Sequence, residues 1–129
     1  MAEKLILVVD DEADVARILE RWLGRVPGLK VISVLDGAQA LEAAQRNRPD
    51  LVILDYSMPM MDGFETCRAL RADALTKTVP VIMLSGLGAA GAAMEAEGCG
   101  ADAYLSKPLD GRELVDCVQL LLNRSAAPR

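Results

Sequence analysis

The chain has 129 residues, 52% of them apolar and 26% charged, with a formal net charge of −5 at pH 7. That balance fits one globular domain with a core of its own. The acidic excess, with no basic stripe, argues against direct nucleic-acid binding by this chain, and the longest aliphatic run, residues 5–9, is far too short to span a bilayer.

Residues 5–9 are continuously apolar and predict a strand buried on both faces. Val15, Ile18, Leu19, Trp22, Leu23 and Val26 then recur at three- and four-residue steps, one face of a helix that Pro27-Gly28 stops. Residues 29–33 predict a second strand, placed at the sheet edge by Lys30. Asp36-Gly-Ala-Gln39 matches a capping box and opens a helix to about Arg46. Pro49-Asp50 breaks the chain before a third strand at residues 51–54. Asp62-Gly-Phe-Glu65 is a second capping-box pattern, with a helix to about Ala72, and residues 79–84 predict a fourth strand.

The Gly- and Ala-rich stretch 86–100 predicts a helix centred on residues 92–97 and entered through a loose loop at 86–91. The reason is that each interior glycine costs a helix up to about 1 kcal/mol relative to alanine. Residues 103–105 predict a short fifth strand. Asp110-Gly-Arg-Glu113 caps a last helix whose Leu114, Val118, Leu121 and Leu122 share a face. Five βα units in succession imply an α/β fold, a single doubly wound parallel sheet with helices on both faces. The domain is expected over residues 4–123, with 124–129 a tail or the start of a linker.

The absence of histidine excludes Ser-His-Asp and Cys-His nucleophile systems, and any phosphohistidine of the chain's own. Cys67, Cys99 and Cys117 form no CxxC pair and no zinc set, so small buried or half-buried thiols are expected. The opening Met-Ala-Glu-Lys lacks the features of a signal peptide, and a cytoplasmic location is expected.

Ligands of an open parallel sheet bind outside the carboxyl ends of its strands. Those ends carry Asp10, Asp11 and Glu12, then Asp55, then Ser85, then Ser106, Lys107 and Pro108. Crowded carboxylates repel one another, and a hard divalent cation relieves the repulsion. Lys107 offers a compact positive charge to an incoming phosphoryl oxygen, and a carboxylate can act as the nucleophile that forms an acyl phosphate. Taken singly, each aspartate could be a helix cap and Lys107 a solvated loop lysine; the joint pattern on one rim is what points to chemistry.

Asp10-Asp11, the run Asp55-Tyr-Ser-Met-Pro59-Met-Met-Asp62-Gly63, Ser85, and Lys107-Pro108 resemble the CheY-like receiver domain of bacterial response regulators. The resemblance covers about residues 4–123. It implies a flavodoxin-like (βα)5 fold with strand order 2-1-3-4-5. It also implies that Asp55 is the phosphoacceptor, and that magnesium, with manganese as a substitute, is held by Asp10, Asp11, Asp55 and the backbone carbonyl of Ser57. By the same resemblance Ser85, Gly86 and Lys107 take the phosphoryl oxygens, Ser85 and Tyr104 form the switch, and the Lys107–Pro108 peptide is cis. The partners it implies are a sensor histidine kinase or histidine phosphotransfer protein as donor, and an output domain or partner on the face built from the fourth and last helices and the fifth strand. A homodimer on phosphorylation is implied too, with no membrane contact. Such a domain is a signalling switch that catalyses only its own phosphorylation and dephosphorylation. The glycines of 86–100 depart from the usual pattern and put the rigidity of that helix in doubt.

Two other readings compete. Gly86-Leu-Gly88-Ala-Ala-Gly91 spells the GxGxxG of dinucleotide-binding enzymes, but follows the fourth strand rather than the first. A haloacid-dehalogenase-type phosphohydrolase also uses an aspartyl nucleophile with magnesium, but its DxD is absent here, where Tyr56 and Ser57 follow Asp55.

Overall fold

Successive side chains of a strand point to opposite faces, so a strand can be aliphatic throughout only where both faces are covered. The structure, a computed structural model describing residues 3–86, 88 and 98–126, meets that condition. In β1 (Lys4–Val9), Ile6 and Val8 enter one core while Leu7 and Val9 enter another. The elements that follow are α1 (Ala13–Gly24), β2 (Leu29–Val34), α2 (Gly37–Asn47), β3 (Leu51–Asp55), α3 (Gly63–Ala72), β4 (Val81–Ser85), β5 (Ala103–Ser106) and α4 (Gly111–Ala126). The five strands form one parallel sheet in the order β2-β1-β3-β4-β5.

One face packs Leu19 and Leu23 of α1 and Leu114, Val118, Leu121 and Leu122 of α4 against Ile6, Val8, Ile53, Ile82 and Leu84. The other packs Ala40 and Ala44 of α2 and Cys67 and Leu70 of α3 against Leu7, Val9, Val52, Leu54 and Met83. Each fully buried large aliphatic contributes about 1.5–3 kcal/mol of transfer free energy, so these two cores position the strand ends that carry the site. The sheet is doubly wound as expected, and β2 with its exposed Lys30 is an edge strand. No helix of the described residues is long and apolar enough to cross a membrane. The helix expected around residues 92–97, and most of its entry loop and of the GxGxxG run, lie outside the described residues.

Three local expectations need correction. Ile18 is 47% exposed, while Ala16 takes the core position beside Leu19. Val26 falls after the helix rather than on its face. The box at Asp36 is half formed: Asp36 Oδ1 accepts from the Gln39 amide at 2.8 Å, but Gln39 Oε1 turns to the amide of Leu35 instead of Asp36. At Asp62 and Glu65 both halves are present, and in the last helix Asp110 Oδ1 accepts from the amides of Arg112 and Glu113.

Candidate functional site

Ladder hydrogen bonds run past the strand ends and fix the residues just beyond them. The amide of Asp10 donates to Val34 O at 3.2 Å, that of Tyr56 to Leu84 O at 2.8 Å, and that of Lys107 to Ser85 O at 2.8 Å. The chain runs outward from β1 to β2, then returns to β3 and on to β5, so its direction reverses between β1 and β3. Asp10 and Asp55 stand at that reversal, where open α/β sheets bind ligands.

Asp10 and Asp55 are buried and Asp11 is exposed, and one carboxylate oxygen from each lies within 4.8 Å of the others. The Lys107 ammonium is 2.9 Å from Asp55 Oδ1. It is a close ion pair, while Oδ2 of Asp55 and Oδ2 of Asp10 are buried with no hydrogen-bond partner among the described residues. Asp10 does not cap α1; its Oδ1 accepts from the amide of Glu12 at 2.9 Å in a tight turn, and Glu12 stands at the cap position without a side-chain bond.

Burial raises the Asp10 carboxyl to about 6, against the Glu12 amide, which lowers it; the charge of Asp55 raises it further. Burial pulls the Lys107 ammonium down, but the Asp55 carboxylate, then Asp10 and Glu12, outweigh it and hold the group above its ordinary value. The donor set fits a hard cation: three carboxylates, buried oxygens lacking a donor among the described residues, and a proton affinity at Asp10 raised by burial and crowding.

Of the remaining expected residues, Ser85 ends β4, is 5% exposed, and pairs in register with Ser106. Gly86 follows it, exposed, and a Cβ there would lie 3.9 Å from Lys107 Cβ. Ser57 lies exposed in the loop after β3. The Lys107–Pro108 peptide is cis. Tyr104 lies half-buried in β5 opposite Met83, and its hydroxyl is 2.9 Å from Cys99 Sγ.

The turn from Pro59 to Gly63 shapes the loop after Asp55 in two ways. The amide of Gly63 donates to Tyr56 O at 2.9 Å, and a Cβ at Gly63 would meet Asp55 O at 2.6 Å and Tyr56 Cα at 2.7 Å. Backbone cannot give way as a flexible side chain can, so Gly63→Ala is expected to destabilise the fold by about 1–3 kcal/mol in urea denaturation. Met60, by contrast, is fully exposed with φ 69°, a left-handed conformation that costs an L-residue about 1–2 kcal/mol. Its side chain packs on none of the described residues in a way that would offset this. Met60→Gly is expected to stabilise the protein by about 0.5–1 kcal/mol after the entropy that glycine adds to the unfolded chain; a lower urea midpoint would show that the methionine is held by contacts.

The sequence model of the response regulator receiver domain matches residues 6–119. Transcriptional regulatory protein PrrA of Mycobacterium tuberculosis is 44% identical over 119 residues, which are 92% of this chain and 50% of PrrA. The chain thus spans about half the length of the curated relatives it matches. Among solved structures, chemotaxis protein CheY4 of Vibrio cholerae is similar with TM-score 0.84 and 32% identity, over 93% of this chain and 99% of that one. The receiver domain of the sensor histidine kinase PA1611 of Pseudomonas aeruginosa, solved with a magnesium ion in its active-site cleft, has TM-score 0.81 and 31% identity over 95% and 99% of the two chains.

Proposed function

The chain belongs to the response regulator receiver domain family of two-component systems, and from that premise we propose that Asp55 is its phosphoacceptor and a phosphohistidine protein its donor. The observation that carries the assignment is the state of the Asp55 carboxylate. It is buried, its Oδ2 has no hydrogen-bond partner among the described residues, it is crowded by Asp10 and Asp11, and the Lys107 ammonium faces its Oδ1 at 2.9 Å. Leaving a buried polar group unsatisfied costs about 1–3 kcal/mol, more when it is charged. A site that meets its partners only during reaction accounts for that cost.

Asp10, Asp11 and Asp55, with the backbone carbonyl of Ser57, would hold magnesium, or manganese in its place. When bound, the ion supplies positive charge to the carboxylates and to the phosphoryl oxygens. An Asp55 oxygen attacks phosphorus opposite the donor imidazole; the P–O bond forms as the P–N bond breaks, and the electron pair leaves with the imidazole nitrogen. No general base is required. Lys107 follows the charge onto a phosphoryl oxygen, and the Ser85 hydroxyl and Gly86 amide take others. The domain acts as a switch that catalyses only its own phosphorylation and dephosphorylation, with Ser85 and Tyr104 as the moving pair.

A sensor histidine kinase or a histidine phosphotransfer protein fits the donor role. The apolar hollow lined by Val15, Ile18, Trp22, Pro108 and Leu109, which opens beside Lys107, is suited to receive it. The output, an attached domain or a separate partner, would read β5, α4 and the segment between β4 and β5, as would a phosphorylation-dependent homodimer. The test is chemical. With magnesium and acetyl phosphate the intact mass should rise by one phosphoryl group, the gain should vanish with a chelator, and hydroxylamine should reverse it. Label that resists hydroxylamine, or no label at all, would overturn the proposal.

A further inference from the structure

The stretch that leads into β5 is tied firmly to α3. Gly98 and Gly100 adopt φ of 69° and 92°, so the chain turns through left-handed conformations on either side of Cys99. The Cys99 carbonyl accepts from the Cys67 thiol at 3.4 Å, and the Gly100 carbonyl from Arg71 Nε at 2.9 Å. Arg71 also pairs with Asp102 at 3.0 Å, and the same Asp102 oxygen accepts from the Val81 amide at 2.8 Å. These bonds join α3, the start of β4 and the entry to β5 into one frame. Burial, with the neighbouring Cys99, pushes the Cys67 thiol up to about 12, so it remains a protonated donor.

Within that frame Cys99 is 4% exposed, and its Sγ lies 2.9 Å from the Tyr104 hydroxyl. A residue that merely filled space there would need volume and no direction. This contact is directional, and it ends on the side chain that the functional reading assigns to the switch.

We propose that Cys99 is a positioning residue of the switch: its thiol holds the Tyr104 hydroxyl in the unmodified chain, and activation breaks that contact. The proposal rests on the reading of Tyr104 as the switch aromatic. It makes the strength of one S···O contact a setting for how readily the domain activates. The fixed Cys99 carbonyl and Gly100 carbonyl keep the thiol in place while Tyr104 moves.

The test uses the 129-residue chain labelled with 3-fluorotyrosine. Fluorine NMR follows Tyr104, assigned with Tyr104→Phe, during titration with beryllofluoride in the presence of magnesium. Cys99→Ala is expected to lower the beryllofluoride midpoint by about 3- to 10-fold, the range for losing one ordinary hydrogen bond. It should also move the Tyr104 resonance of the free protein toward its position in the bound protein. In the Tyr104→Phe background, where the fluorine resonance of Tyr56 beside Asp55 reports the titration, the same substitution should move the midpoint by less than about 2-fold, because the contact is already gone. Cys99→Ser, which keeps a shorter polar group, should fall between, and it carries the test if the alanine variant does not fold. Unchanged midpoints with an unmoved resonance would overturn the proposal. So would equal shifts in both backgrounds, which would mean that Cys99 acts by packing alone. A Tyr104 resonance that ignores beryllofluoride while the wild type binds it would remove the switch role of Tyr104, and this proposal with it. A wild type that binds no beryllofluoride would sink the phosphoacceptor assignment first and the proposal after it.

Discussion

Asp55→Asn is expected to abolish labelling by acetyl phosphate while leaving the domain folded. An amide matches the carboxylate in shape, so the buried site is not opened, but it offers no oxygen able to form an acyl phosphate at a comparable rate. The cost to the fold decides whether the result can be interpreted. Breaking a fully buried ion pair costs about 3–5 kcal/mol because a charge is left stranded. Here the Lys107 side chain is 27% exposed, so its ammonium can turn to water. Removing one of three crowded carboxylates also relieves repulsion. The urea midpoint should therefore stay close to that of the wild type, and intact mass after treatment should show no phosphoryl group. Equal labelling of the variant would move the acceptor elsewhere, and Asp10 is the only other buried carboxylate in the cluster among the described residues.

Much of this site was legible in the sequence because it is built on strand ends. A run such as Leu51–Asp55 announces both its strand and the residue at its carboxyl end, and a parallel sheet brings such ends to one rim. Side-chain periodicity was less informative. Six apolar residues read as one helix face, but Val26 lies beyond α1, and nothing in their spacing told that Ile18 would face water. Asp36 and Gln39 have the spacing of a capping box, but spacing cannot say that Gln39 Oε1 would accept from the Leu35 amide instead of that of Asp36. The left-handed turn at Met60 was invisible, since methionine gives no sign of it. The frame around Cys99 was invisible for another reason. Arg71 lies 29 residues from Gly100 and 31 from Asp102, and only the packing of α3 beside the entry to β5 brings them together.

Asp10→Asn is expected to make the protein more stable than the wild type in divalent-free buffer at neutral pH, and less stable than the wild type with saturating magnesium. Burial first, and the charge of Asp55 after it, raise the folded Asp10 carboxyl from 3.8 to about 6. Between those values the folded state holds a proton that the unfolded chain releases. The contribution of Asp10 is therefore fully present below 3.8 and is lost as the pH rises through about 6. A shift of that size corresponds to about 3 kcal/mol at most. Asparagine carries no charge, keeps an oxygen for the Glu12 amide that Asp10 Oδ1 accepts at 2.9 Å, and avoids the loss. In chelator the variant should gain up to about 3 kcal/mol at neutral pH, and the gain should shrink toward zero near pH 4. Magnesium reverses the order because ligand bound only by the folded state stabilises it by mass action, and the variant has lost one charged oxygen donor. Urea denaturation at both pH values, with and without magnesium, measures all four arms. If the variant is the less stable protein in chelator at neutral pH, the Asp10 carboxylate is already satisfied within the fold, and it is not held in readiness for a cation.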